Sequence, residues 1–228
     1  MPTNRQSVNE PFFAHGSRAR AAHLVPRRAH ALHTNVVFAV ASVFLNVAFV
    51  LLNFFPTHVV PVNATFLVGA LFLTHAFCML THWSVQIAPA QRSWLLLLDL
   101  VSTLLKVPSA VLLTLQPLTA LWNADMGVPW SNFAGIAALA VLNTVNGVTM
   151  PIMLWQRGKF VANLPSLAAW VFAFATYALT IANAVVLFQP TALSPAAMMA
   201  LQFSGAVGYF LGACMFWMWA YRGDPLAM

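Results

Sequence analysis

Six apolar blocks of about twenty residues each, set apart by prolines, charges and tryptophans, leave this chain few places to fold other than a lipid bilayer. A run of about 20 apolar residues is long enough to cross the hydrocarbon core as a helix. There the backbone must satisfy its own hydrogen bonds, and a helix does so within one segment. The blocks run roughly 34–55, ending before Pro56, then 62–83, closing on His82-Trp83, and 93–116, opening after Gln91-Arg92. They continue as 131–155 between Trp130 and Trp155, 165–188 from Pro165-Ser166, and 194–221. Ser194 is placed to cap the last block ahead of Pro195, which is well tolerated in a first helical turn. Only 6% of the 228 residues are charged, whereas a soluble domain carries roughly a quarter. The expected fold is therefore an all-α integral membrane bundle of six spans.

Charge counting orients that bundle. Arg5, Arg18, Arg20, Arg27 and Arg28 precede the first span, Arg92 lies between spans two and three, Arg157 and Lys159 lie between four and five, and Arg222 follows six. The segments 56–61, 117–130 and 189–193 contain no Lys or Arg. Basic residues accumulate on the cytoplasmic side of membrane proteins, so both ends are expected inside. The expected organisation is a basic polar arm over 1–33, a six-helix domain over 34–222 and a short tail over 223–228.

The arm, with Glu10 as its sole acid, has the Arg-rich, acid-poor composition of a mitochondrial transit peptide. Beside a membrane, Arg18, Arg20, Arg27 and Arg28 suit anionic headgroups, at about 1 kcal/mol per charge, or a neighbouring membrane subunit. Nucleic acid is not an expected partner, since aromatic interleaving and a folded reading module are both lacking. A mitochondrial or bacterial inner membrane is the expected location. Cys78 and Cys214 fall within apolar blocks and read as buried free thiols.

Span three is the most polar. Asp99, Ser102, Thr103, Lys106 and Ser109 share one helical face, and a Lys at mid-membrane costs about 2.5–3.5 kcal/mol on insertion scales. Asp99 and Lys106 are two turns apart, about 10 Å along the axis, so direct contact between them needs a bridge. Together with Asn143 and Asn146 of span four and Asn183 of span five they form a candidate intramembrane polar site. Its functional reading is an ion or proton step, or the holding of an anionic headgroup. The plainer reading is structural, with polar side chains bonding across helices at about 0.6 kcal/mol each. His75 and His82 lie seven residues apart in span two, and His33 opens span one; these are candidate haem ligands, and hydrogen-bonded interfacial histidine is the alternative. Ser204, Gly208 and Gly212, at four-residue intervals in span six, suit close helix packing, internal or against another subunit.

Paired carboxylates, a Walker lysine loop, a nucleophile elbow, HExxH and CxxC are all missing from the sequence. After residue 33 the acids are Asp99, Asp125 and Asp224 alone, too few for most hydrolytic or metal-dependent catalysis. The first expectation is thus a non-catalytic subunit of a large membrane complex, for example an energy-transducing respiratory or ATP synthase assembly, with bound phospholipid and no other cofactor. A small transporter or channel using Lys106 and Asp99 is the second. A haem or pigment protein is the third.

The helix order also resembles the first six helices of heliorhodopsins. The likeness lies in Thr34-Asn35, Ala70-Leu71-Phe72-Leu73, Arg92 with Trp94, and Pro195 through Tyr221. That family carries retinal on a lysine in a seventh helix. Lys106 does not stand at that position, so the resemblance assigns it no role.

Overall fold

A computed structural model describes the backbone of residues 12–87, 94–122, 129–156 and 164–222, with side chains from residue 29 onward within those stretches except at 83, 86, 87, 96, 154 and 156. The described chain is all helical: α1 (Phe12–Phe54), α2 (Val59–Ile87), α3 (Trp94–Trp122), α4 (Pro129–Gln156), α5 (Leu164–Phe188) and α6 (Pro195–Tyr221). Each contains a stretch long and apolar enough to cross a membrane. The protein is an integral membrane protein with six such helices.

The helices extend past the apolar blocks. α3 continues through Pro117 to Trp122 and α4 begins at Pro129, so the connection expected over 117–130 shortens to 123–128. A proline inside a helix removes one backbone bond, but in a span, neighbouring helices and hydroxyl side chains take up the freed groups. Thr119 Oγ1, two residues on, donates to the Leu115 and Gln116 carbonyls of its own helix at 2.8 and 3.0 Å. At the other extreme, α1 starts at Phe12, which makes residues 12–33 of the expected arm part of the first helix. The side chains of Arg18, Arg20, Arg27 and Arg28 lie outside the described residues, as does the tail over 223–228.

Each helix packs against its neighbours in sequence, and α1 closes the ring on α6. Successive helices run antiparallel. Phe38, Phe44 and Phe49 of α1 meet Phe77, Phe72 and Phe66 of α2 in that order. Gly212, Gly208 and Gly205 of α6 likewise face Phe172, Ala175 and Leu179 of α5. One end of the ring therefore gathers the start of α3 and α5 with the end of α2, α4 and α6. Arg222 and, by sequence, the connections bearing Arg92, Arg157 and Lys159 belong to this end, called the basic end below.

The ring has a filled centre, and small residues turn inward. Ala41, Ala76, Ala110, Ala206 and Ala213 have no exposed surface. Large apolar residues such as Val60, Leu97, Val141 and Phe174 face outward. This arrangement suits a surface solvated by lipid tails, where association gains little from burying Leu and much from close backbone approach. Exposed tryptophans mark both ends: Trp94 and Trp155 at the basic end, Trp122 and Trp130 at the other. Their amphipathic rings match the two headgroup layers. Ser194 caps α6, its Oγ accepting from Ala197 N at 3.2 Å, with Pro195 in the first turn.

Candidate functional site

Most polar side chains in the spans are first satisfied within their own helix. Ser42, Thr74, Thr103 and Thr180 each donate to the carbonyl four residues back, at 2.7–2.9 Å. This local bond is what lets hydroxyl groups enter a span at low cost. The informative residues are those with bonding capacity left over.

Lys106 is the foremost of these. It is 3% exposed, on an inward α3 face shared with Ser102, Thr103 and Ser109, all buried. The Asn146 amide is assigned with its oxygen toward Lys106, since both ends of the amide are then satisfied. In that orientation Oδ1 accepts from Lys106 Nζ at 2.6 Å, and Nδ2 donates to Ser102 Oγ at 2.9 Å. Ser102 Oγ in turn donates to the Leu142 carbonyl at 3.0 Å. The ammonium also stands over the Phe77 ring of α2, 5.9 Å from its centroid. A hydrogen bond to a charged group contributes about 2 kcal/mol, and a cation near the limit of ring contact about 1 kcal/mol. Together these offset the roughly 3 kcal/mol of placing Lys at mid-membrane. Lys106 is thus held without a carboxylate.

Asp99 is half-buried, one helical turn nearer the basic end than Ser102. Among the described residues no ion pair joins it to Lys106, although the two charges act on one another at longer range. The Asp99 backbone carbonyl accepts from Thr103 Oγ1.

A second group adjoins this network. Asn143, one turn from Asn146, is buried, and its Nδ2 donates to Thr176 Oγ1 of α5 at 3.5 Å. Tyr209 of α6 is 1% exposed. Its hydroxyl lies near the Asn143 amide but meets no hydrogen-bond geometry. Thr81 Oγ1 of α2 donates to the Thr103 carbonyl at 3.3 Å. α2 through α6 therefore all contribute to one polar layer near the bundle centre. The five residues read from sequence as one site divide in three: Lys106, Asn146 and Asn143 lie in this layer, Asp99 lies toward the basic end, and Asn183 lies toward the opposite end. Asn183 Oδ1 accepts from Asn132 Nδ2 at 2.9 Å, and its own amide donates to the Leu179 carbonyl.

Sequence reasoning missed Phe77 and Tyr209, because an aromatic residue inside a span reads as apolar bulk. It also missed the bond from Asn53 Nδ2 to Gln202 Oε1, 2.8 Å, which ties α1 to α6. The helical register of Asn53 and Gln202 alone could not have paired helices 149 residues apart.

The histidines are spread out. His33, His75 and His82 are all exposed, and the ring beside His82 is that of His30, centroids 6.2 Å apart. His30 Nε2 donates to the Met79 carbonyl at 3.1 Å. Among the described residues no group of three His, Cys, Asp or Glu side chains could hold a metal ion. In α6, a Cβ on Gly208 would come 2.8 Å from Ala175 Cβ, and one on Gly212 3.1 Å from Phe172, so both face α5. Ser204 is exposed and bonds to Leu201 O at 3.0 Å. Gly205 takes the inward place, with Leu179 Cγ 2.4 Å from a Cβ built there.

No protein-family model, curated protein or solved structure matches this chain. The likeness to heliorhodopsins gains no support from these comparisons.

Proposed function

We propose that this protein is a non-catalytic subunit of a larger assembly in an energy-transducing inner membrane, mitochondrial or bacterial, with both ends on the positively charged side. The observation that carries this reading is the state of Lys106. The residue on which transport would depend is 3% exposed, bonded to Asn146 and covered by Phe77. Its interior surroundings are packed alanine, leucine and phenylalanine. Such a centre serves to hold six helices in one arrangement. The basic stretch at the start of α1 then supplies a contact for a neighbouring subunit or for anionic lipid, and the outward apolar faces supply further contact area.

Extraction from native membranes in a mild detergent tests the proposal. The chain is expected in an assembly several times its own 24.9 kDa, with Lys106→Met leaving that size unchanged. Recovery of the chain only by itself, together with a Lys106-dependent ion flux in proteoliposomes, would overturn it.

One observation favours a small transporter or channel as a second reading. The buried Tyr209 hydroxyl meets no hydrogen-bond partner near Asn143, one turn from the Lys106 network, where a polar species could pause. On this reading Lys106→Met abolishes flux and leaves the fold intact.

A further inference from the structure

A groove of about 340 Å³ opens on the outer surface where α1 meets α6. Val36, Val40 and Val43 form one wall, and Phe210, Cys214 and Trp217 the other. The walls expose only apolar surface; Asn35, at one end, has its amide turned to the Ala31 carbonyl. We propose that this groove holds one acyl chain of an anionic phospholipid whose headgroup lies at the basic end.

Three features select this occupant. The first is length. His33 stands three residues before Val36, so the stripe from His33 to Val43 extends about 15 Å at 1.5 Å per residue. This is half of a hydrocarbon core about 30 Å thick, the depth of a single leaflet. The second is how both walls end. On α6 the stripe Phe210, Cys214, Trp217 continues at helical spacing to Tyr221, whose ring stacks on Trp217 at 5.2 Å. Arg222 follows, exposed, as the helix C-cap. On α1 the stripe ends at the exposed imidazole of His33. Carbon surface thus gives way at one end to an indole, a phenol, an imidazole and a guanidinium, which suit the interface between tail and headgroup. The third is charge. Arg222 is a fixed cation with a planar array of donors that suits phosphate. A zwitterionic lipid would satisfy the groove equally but would gain less from this end.

The test uses the full-length protein in detergent micelles containing equal amounts of phosphatidylglycerol and phosphatidylcholine with identical acyl chains, and native mass spectrometry to count retained lipid. Retention of one phosphatidylglycerol, at least tenfold over phosphatidylcholine, is expected. Val40→Trp, which fills the groove, should reduce retention of both lipids at least tenfold. Arg222→Gln should leave retention of the chain but bring the two lipids to within about twofold. Equal retention by the unaltered protein would overturn the headgroup assignment, and full retention by Val40→Trp would overturn the groove assignment. Should Val40→Trp not fold, a phosphatidylglycerol carrying a photoreactive diazirine in its acyl chain replaces it. Crosslinks concentrated on residues 35–44 and 210–217 support the site, whereas crosslinks spread evenly over the six helices refute it. Because no variant involves Lys106 or the size of the assembly, failure here is distinguishable from failure of the subunit reading.

Discussion

At the scale of single residues, Lys106 and Asn146 illustrate how a membrane interior tolerates a cation. Each depends on the other, so the two substitutions have opposite expected effects. Asn146→Leu leaves the Lys106 ammonium without its acceptor at 2.6 Å, and uncompensated buried charge is costly, about 3 kcal/mol or more. Thermal unfolding in detergent should show a clear loss of stability. Lys106→Met removes the charge with little change in volume and should be neutral or slightly stabilising. In the double variant most of the Asn146→Leu loss should disappear. If the two single effects merely add, the ammonium–amide bond is not what holds Lys106. Sequence showed that Lys106 was out of place, because a lone cation in an apolar run is conspicuous. It placed Ser102 and Asn146 in one candidate site with Lys106. It could not show which of them bonds the ammonium, nor that Phe77 covers it, because the relative rotation of α2, α3 and α4 is set by packing.

Among the elements, the α5–α6 contact is the most sensitive to added volume. Gly205→Ala would place a methyl carbon 2.4 Å from Leu179 Cγ and 2.9 Å from the Ala175 carbonyl oxygen. The second neighbour is backbone and cannot turn aside, so the helices must separate. Overpacking of this kind typically costs about 1–3 kcal/mol, and unfolding of the purified protein should show it. Ser204→Ala, one residue away but exposed, should be silent within about 0.5 kcal/mol. Such a contrast was only partly legible beforehand. The four-residue spacing of Ser204, Gly208 and Gly212 marked a small-residue face but missed its direction. The face that meets α5 is centred on Gly205, Gly208 and Gly212. Hydropathy alone does not tell inward from outward in a span, since lipid and core are both apolar: Leu139 and Phe77 are buried, whereas Val141 and Phe174 face outward.

For the molecule as a whole, the six long apolar helices of the described residues were legible because the apolar runs are long and punctuated. The helix ends were less so: Pro117 looks like a stop in the sequence, yet α3 passes through it. Orientation rests on charge distribution and is open to a direct check. A single cysteine at Asp224, in a background with Cys78 and Cys214 replaced by Ser, should react with an impermeant maleimide only from the cytoplasmic side, and one at Ala192 only from the opposite side. The reverse pattern would overturn the assigned orientation, and labelling of both positions from the same side of sealed vesicles would mean that α6 does not cross.

The ring closure of α1 on α6 also sets a schedule for biogenesis. Asn53 cannot reach Gln202 until 149 further residues have been made. At about 5–20 residues per second this is a wait of about 7–30 seconds. Throughout that interval the first helix sits in the bilayer with one flank unmatched, while each later helix finds its predecessor already in place. A chain halted before α6 would present that flank to whatever insertion factor or membrane neighbour is at hand. The synthesis of α6 therefore decides when α1 is released from such company.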